Sequence, residues 1–570
     1  MEAPVSLIEA ARGRRPADLV LKGGRIVNVL SGRIEEADLA VCGGVIVGLG
    51  EYQGREEVDV SGRFLAPGLM DPHLHLESTM LTPAELARVI VPRGTTALLA
   101  DPHEIANVLG VAGVRYLIEA GAGLPLDIFF MAPSCVPATH LETSGAELTA
   151  GDLAPLLEEP RVLGLAEVMN FPGVLAGRRD VWEKLEFYRE RIIDGHAPLL
   201  GGRDLCAYLL PGIGTEHECT NLGEAEEKLA RGLRLFLREG SQARNLAALL
   251  PLVTDHNLRR LSFCTDDRHP EDLLRQGHLD HVLRRAVALS LDPVRALTMA
   301  TLNPAEACRL TRRGALAPGW LADVIVLSDL KSFRVERVYK NGRLVAAEGE
   351  LLEKPAAAPV SGWASPMNVA GLGRENLRLE AAGPRVRVIE LVDAQLLTNH
   401  LVTDTPEENG FLAADPGRDL ARLFVFERHR GTGNLGQGLV KGFGLSRGAL
   451  ASSIAHDSHN LIAVGVGEED VLTAVEAVAA MRGGQAVAAG GRVLARRPLP
   501  LAGLISLETA EQTAAAGDKL KAAAQELGVR LPDPFMALSF LALPVIPSLR
   551  LTDRGLVDVE KFDFTGLFTA

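Results

Sequence analysis

A short apolar run, Phe64-Leu65 and then Leu69-Met70, leads into Asp71-Pro72-His73-Leu74-His75. Read as a strand, this segment projects His73 and His75 from one face, because side chains two apart on a strand point the same way. A strand that ends by presenting two imidazoles together is of use mainly if the chain downstream supplies more metal donors. Residues 67–314 alternate strand-like and helix-like segments, with strands expected at 64–71, 95–101, 127–133, 161–168, 190–195, 209–216, 233–239 and 260–265. Helices are expected between most of them, for example Ile105 to Ala120 and Gln242 to Leu252. Eight alternations over about 250 residues predict an α/β fold, a TIM-like (β/α)8 barrel, whose functional residues gather at the strand C-termini.

The polar residues at those ends form a consistent set. The fourth strand ends in Glu167, the fifth in Asp194-Gly195-His196, the sixth in Thr215-Glu216-His217-Glu218 and the eighth in Asp266-Asp267. Singly, each has an ordinary structural use, as a satisfied histidine, a salt-bridged carboxylate or a helix cap. Together, imidazoles and carboxylates without a thiolate are the donor set of a divalent zinc, iron or manganese ion. There are more carboxylates than one ion needs, which suggests two ions bridged by Glu167 and an acidified water between them. Asp266, at the edge of the set, is suited to carry a proton from that water to a leaving group.

The rest of the chain frames this unit. Residues 1–66 and 315–350 hold short strands and glycine turns, among them Asn341-Gly342, a favoured hairpin turn. Joined, they predict a small composite β-sandwich domain into which the barrel at 67–314 is inserted. A linker is expected at 351–385, around Pro355 to Pro359 and Ser361-Gly362, and a third, mixed α/β domain at 386–570. The net charge of -14 disfavours nucleic acid or an anionic membrane as partner. Six scattered cysteines, none in a Cys-x-x-Cys pair, exclude a disulfide scaffold and point to a reducing, cytoplasmic setting. The first 20 residues lack the apolar core of a signal peptide, and no run approaches the length of a membrane span.

The stretch Pro67 to Glu77 with Glu167, His196, His217 and Asp266 resembles the amidohydrolase superfamily. Ala100 to Val108, Pro133 to Pro137, Gly212 to Thr220, Arg238 to Ser241, Phe263 to Pro270, Ile454 to Asn460 and Ala542 to Pro547 resemble its adenine deaminase family. The resemblance implies hydrolysis of adenine to hypoxanthine and ammonia by a hydroxide bridging two divalent ions, manganese or iron(II), with zinc as a further option. It implies His73, His75, Glu167, His196, His217 and Asp266 as ligands, with Asp266 also the proton shuttle. Glu218, beside a ligand, is the expected proton donor to N1. Glu104, Arg238 and Glu239 are expected to contact the base or to serve in caps and ion pairs. His103, His456, Asp457 and His459 are expected to form an auxiliary metal site or a lid. The expected partner is a small molecule, adenine, and the chain is expected to form a homo-oligomer. The competing readings are a hydantoinase-like enzyme or another aminopurine deaminase, and a scaffold that has lost its metals. The zinc deaminases of nucleic acids are disfavoured, since their His-x-Glu and Pro-Cys-x-x-Cys signature is absent.

Overall fold

The computed structural model describes residues 4–356, 358–359, 363, 365–392 and 395–569, so Ser361 and Gly362 of the expected linker lie outside the described residues. The two outer fragments share one nine-stranded sheet. Their seam is Phe64–Pro67 running antiparallel to Val324–Leu327, with Pro67 opposite Val324 and Phe64 opposite Leu327. The Asn341-Gly342 turn joins Val335–Lys340 to Arg343–Ala347, and its two residues have φ of 48° and 74°. Both positive values match the right-handed twist of the flanking strands, which is why Asn-Gly suits this turn.

Eight parallel strands carry the site: β1 (Leu69–Leu74), β2 (Thr95–Ala100), β3 (Asp127–Ala132), β4 (Val162–Val168), β5 (Ile192–Gly195), β6 (Thr215–Glu216), β7 (Arg234–Arg238) and β8 (Leu261–Cys264). β1 to β5 form one parallel sheet in sequence order, and β6 to β8 a second. Leu74 and Asp266 make a parallel bridge between β1 and the end of β8. There the Asp266 amide donates to the His73 carbonyl at 3.1 Å and the His75 amide to the Asp266 carbonyl at 3.2 Å. On the opposite flank the Gly214 amide donates to Ile193 at 3.0 Å. At Gly164 any Cβ would lie 2.0 Å from the Ile192 carbonyl oxygen, so only glycine lets β4 and β5 approach three residues before Glu167.

Three expectations are corrected. The sixth strand was expected at 209–216, but Gly202–Leu209 is a helix and only Thr215–Glu216 is strand. Leu205 and Tyr208, three apart, are buried while Leu210 is 81% exposed, a helical pattern that outweighs the apolar run. The helix expected from Ile105 to Ala120 breaks at Gly110 (φ 63°) into His103–Leu109 and Val111–Ala120. The helix expected from Gln242 to Leu252 shortens to Leu246–Leu249 and a 3-10 turn at Leu250–Leu252.

The C-terminal region is built on a second nine-stranded sheet, against which Glu468–Ala480 packs. Parts of the linker stretch are fastened to it: Leu377 is buried in its core, and Arg428 donates to Ser365 Oγ at 2.7 Å and to the Pro366 carbonyl at 2.9 Å. This region also grips the loop after β3. Thr552 Oγ1 donates to the Leu141 carbonyl at 2.7 Å, and Asn460 Nδ2 to the Thr143 carbonyl at 2.8 Å.

A buried charge pair crosses the same junction. His269 Nδ1 lies 3.4 Å from Asp533 Oδ2, which also takes Lys521 Nζ at 2.8 Å. Burial opposes both charges, but His269 and then Lys521 hold the Asp533 carboxyl far below the usual carboxylate range. Burial likewise opposes the imidazolium, and Asp533 raises His269 above its ordinary value. The carboxylate's contribution to stability is present above about pH 4 and lost as pH falls through its depressed value. The histidine's contribution is present below about pH 6.5 and lost as pH rises through its raised value. Asp533→Asn keeps the cap on the Met536 amide (3.0 Å) while removing the charge. Its loss of stability, about 3 kcal/mol as for a broken buried pair, is expected to be greatest between those limits. Melting curves from pH 3 to 9 check this, and a gap independent of pH would sink the assignment.

Candidate metal and substrate site

The two histidines of β1 are oriented by partners behind them. His73 Nδ1 lies 2.8 Å from Asp194 Oδ2, so Nδ1 carries the hydrogen and Nε2 keeps a lone pair. His75 Nδ1 faces the Asp101 carbonyl at 3.2 Å, with the same outcome. Both free Nε2 atoms converge on Asp266 Oδ1, His73 at 3.6 Å and His75 at 3.1 Å. Asp266 sits in the left-handed region (φ 57°), a conformation that aspartate tolerates better than most residues and that turns its carboxylate into the site.

A second triad faces the first. Glu167 Oε2 lies 2.6 Å from His196 Nδ1 and 3.1 Å from His217 Nε2, while its Oε1 lies 3.5 Å from His75 Nε2. One carboxylate thus spans both groups. His73, His75 and Asp266 form one set of atoms close enough to share an ion, and Glu167, His196 and His217 another. Separations of 3.1 to 3.6 Å, from the β1 histidines to Asp266 and Glu167 and from His217 to Glu167, are those of two ligands about 2.1 Å from one ion, while His196 and Glu167 at 2.6 Å are hydrogen-bonded to each other. His73 Nε2 and both ring nitrogens of His217 are buried without a partner, which a cation would remedy. The donor set fits divalent ions.

The charge pattern agrees. Burial disfavours a charged ring, yet Asp194 and Asp266 hold His73 well above its ordinary value, and Asp266 does the same for His75. Burial would raise Glu167 and Asp266, but His196 with His217, and Arg238 with the β1 histidines, hold them well below the carboxylate range. The same anionic field would hold a divalent cation. Arg238, at the end of β7, clamps the site by donating to Glu218 (Nη2 to Oε2 2.9 Å, Nη1 to Oε1) and from Nη1 to Asp266 Oδ2. Burial opposes the Glu218 anion, but Arg238 wins and lowers its pKa.

The pocket above these residues has a cavity volume of about 50 Å³. Its floor is Glu167, His217 and Asp266; its roof comes from the C-terminal region, with Leu396, Phe540, Leu543 and Ile546. His456 stacks on Phe540 at 4.4 Å, and Asp457 Oδ2 reaches down to within 3.7 Å of His103 Nε2.

Family models and relatives cover both floor and roof. Residues 64–345 match the amidohydrolase family, and residues 395–563 match the adenine deaminase C-terminal domain. The chain is 50% identical over 564 residues to "Adenine deaminase" of Desulfatibacillum aliphaticivorans, covering 99% of each chain. It is 46% identical over 557 residues to "Adenine deaminase 2" of Carboxydothermus hydrogenoformans, covering 98% of each. The chain belongs to the adenine deaminase family. In this family member the amidohydrolase match holds every residue of both triads, and the C-terminal match holds His456, Asp457 and the four apolar roof residues.

Of the residues expected at the site, His73, His75, Glu167, His196, His217, Asp266, Glu218, Arg238, His103 and Glu104 come together, and His456 and Asp457 join them from above. Glu239 does not: its carboxylate lies 3.5 Å from Arg285, away from the pocket. Residues after a strand alternate in direction, so Arg238 faces inward and its neighbour outward. His459 lies behind the pocket wall, its Nε2 3.8 Å from Glu104 Oε2. Four functional residues escaped the sequence reading. Asp194 and Asp101 orient the β1 histidines, and the acidic ends of β2 and β5 could have pointed to them. Leu396 and Phe540 carry no chemical signal, and only folding of distant segments reveals them.

Proposed function

We propose that the chain hydrolyses adenine to hypoxanthine and ammonia in a (β/α)8 barrel formed by β1 to β8. The observation that carries this reading is 50% identity to a named adenine deaminase across 99% of the chain, including both floor and roof of the pocket. His73, His75 and Asp266 would hold one divalent ion and His196 and His217 the other, with Glu167 bridging. Manganese or iron(II) is the proposed native metal, and zinc fits the same donors. Bound there, the ions would supply Lewis acidity and lower the pKa of an attacking water.

The chain's own residues manage the protons. Addition of water across C6 and N1 puts a hydroxyl on C6 and a hydrogen on N1. Collapse then moves the hydroxyl proton to the amino nitrogen, breaks the C6–N bond and leaves hypoxanthine and ammonia. Asp266, the carboxylate nearest both β1 histidines, carries the proton from oxygen to the departing nitrogen. Glu218 serves N1. Because Arg238 keeps Glu218 ionised, it delivers a proton only after accepting one, which makes it a relay and not a stored acid. Leu396, Phe540, Leu543 and Ile546 give the flat base apolar contact and exclude bulk water. On this reading the enzyme serves salvage of free purine bases in the cytoplasm.

Protein from manganese-supplemented, iron-restricted growth is expected to release ammonia from adenine, with hypoxanthine accumulating in equal amount. No release from adenine, with release from a hydantoin or another aminopurine, would overturn the substrate and leave the metal site standing.

His456, Asp457 and His103 are proposed to form a lid contact. Glu104, His456 and His459 do lie close enough to share an ion. The Ala455 amide, however, donates to His459 Nδ1 at 3.3 Å, so Nε2 carries the ring hydrogen and offers no lone pair. His456→Ala is therefore expected to keep the wild-type metal content by plasma mass spectrometry while KM for adenine rises about tenfold, as for a lost pocket contact. Loss of one ion per chain would establish an auxiliary site instead.

A further inference from the structure

A second cavity, of about 20 Å³ and so with room for one small molecule, lies behind Glu104 and His456, which line both it and the catalytic pocket. Its far walls include Glu77, Gln485, Arg497 and Asp533. Glu77 Oε2, Gln485 Oε1 and Arg497 Nε are buried there without a protein partner. Buried polar groups in native proteins are nearly always hydrogen-bonded, so three around one cavity mark a polar occupant. Two of the three are acceptor oxygens, and Glu104 adds carboxylate oxygens on the shared wall.

The fixed cations have protein partners, although Arg497 keeps its Nε–H free. Arg497 pairs with Glu271 at 3.1 Å, and Lys521 and His269 pair with Asp533. His456 Nδ1 stands 3.7 Å from Glu104. Glu77 takes a single hydrogen bond, from the Ile105 amide to Oε1 at 2.9 Å, and has no cation within ion-pairing distance among the described residues. Two unpaired acceptor oxygens beside the Glu104 carboxyl suit a small occupant that donates hydrogen bonds. Ammonia, formed one wall away, is ammonium in water at neutral pH.

We propose that this cavity is an exit chamber for ammonium, entered past Glu104 and His456, with Gln485 Oε1 and Glu77 Oε2 as its acceptors. The proposal rests on the deaminase reading above. It would hold the small product apart from the base, behind Glu104 and His456.

The test uses the full-length, metal-loaded protein. Crystals soaked in thallous acetate, whose ion substitutes for ammonium, are expected to show an anomalous peak between Gln485 and Glu77. In steady state, ammonium chloride is expected to inhibit hypoxanthine formation noncompetitively with adenine, against sodium chloride at equal ionic strength. Gln485→Leu is expected to weaken that inhibition about fivefold, the effect of one lost hydrogen bond, with KM for adenine unchanged. Gln485→Glu, of the same shape, is expected to strengthen it. Equal inhibition constants in wild type and Gln485→Leu, or inhibition competitive with adenine, would overturn the chamber. If adenine is not deaminated at all, the function falls, and the thallium experiment still decides whether the cavity takes a cation.

Discussion

Glu167→Ala protein is expected to bind one divalent ion per chain or none and to lose about four orders of magnitude in kcat/KM, the scale of losing activated water and its positioning together. The argument is geometric. Among the described residues, Glu167 is the carboxylate whose two oxygens face different triads, Oε1 toward His75 and Oε2 toward His196 and His217. Removing it leaves the second triad with two donors and takes from the first the additional carboxylate oxygen facing His75. Glu167→Gln is the sharper probe, because it keeps the shape and the backbone amide bond to Asp101 Oδ2 at 3.2 Å. An amide bridges two cations poorly, so metal content should fall here too. Two tightly bound ions in the Gln variant would show that Glu167 does not bridge.

Asp266→Asn is expected to retain metal, since an amide oxygen still faces His73 and His75, while kcat falls about a thousandfold for loss of the proton carrier. Glu218→Gln is expected to lower kcat about a hundredfold, the smaller end of general acid–base effects. The two variants separate the protons. A substrate with a better leaving group than ammonia at C6 needs less help at the departing atom, so 6-chloropurine should recover rate with Asp266→Asn and not with Glu218→Gln. Near-normal adenine turnover by Glu218→Gln would withdraw its role at N1.

The site's floor was legible in the sequence because each donor ends a strand, and a parallel α/β array gathers strand ends at one face. His73 and His75 are weak evidence by themselves; Glu167 in an apolar run, His196, His217 and Asp266 at the ends of later strands make the set coherent. Of the two uses open to Glu239 in the sequence, base contact and an ion pair, the structure shows the ion pair with Arg285, because Glu239 is one residue past an inward-facing arginine and a one-residue step on a strand reverses direction. The sixth strand was misplaced for a related reason: Leu209-Leu210 supply an apolar run, but burial of Leu205 and Tyr208 follows the helical period. Phe540 and its neighbours could not be assigned by pattern, since packing against pocket residues between His75 and Asp267, more than 270 residues earlier in the chain, leaves no local signature.

That last separation bears on how the enzyme comes into being on the ribosome. The eighth strand is finished at Cys264, so every proposed metal donor has been synthesised by Asp266, two residues later. The roof waits for Leu396 and is not complete until Ile546. The set of proposed donors is therefore complete while it still stands open to water, and the closed compartment that a free base needs arises only at Ile546, 280 residues after Asp266. Metal loading and catalytic competence are thus separated in time by the order in which the polypeptide is made.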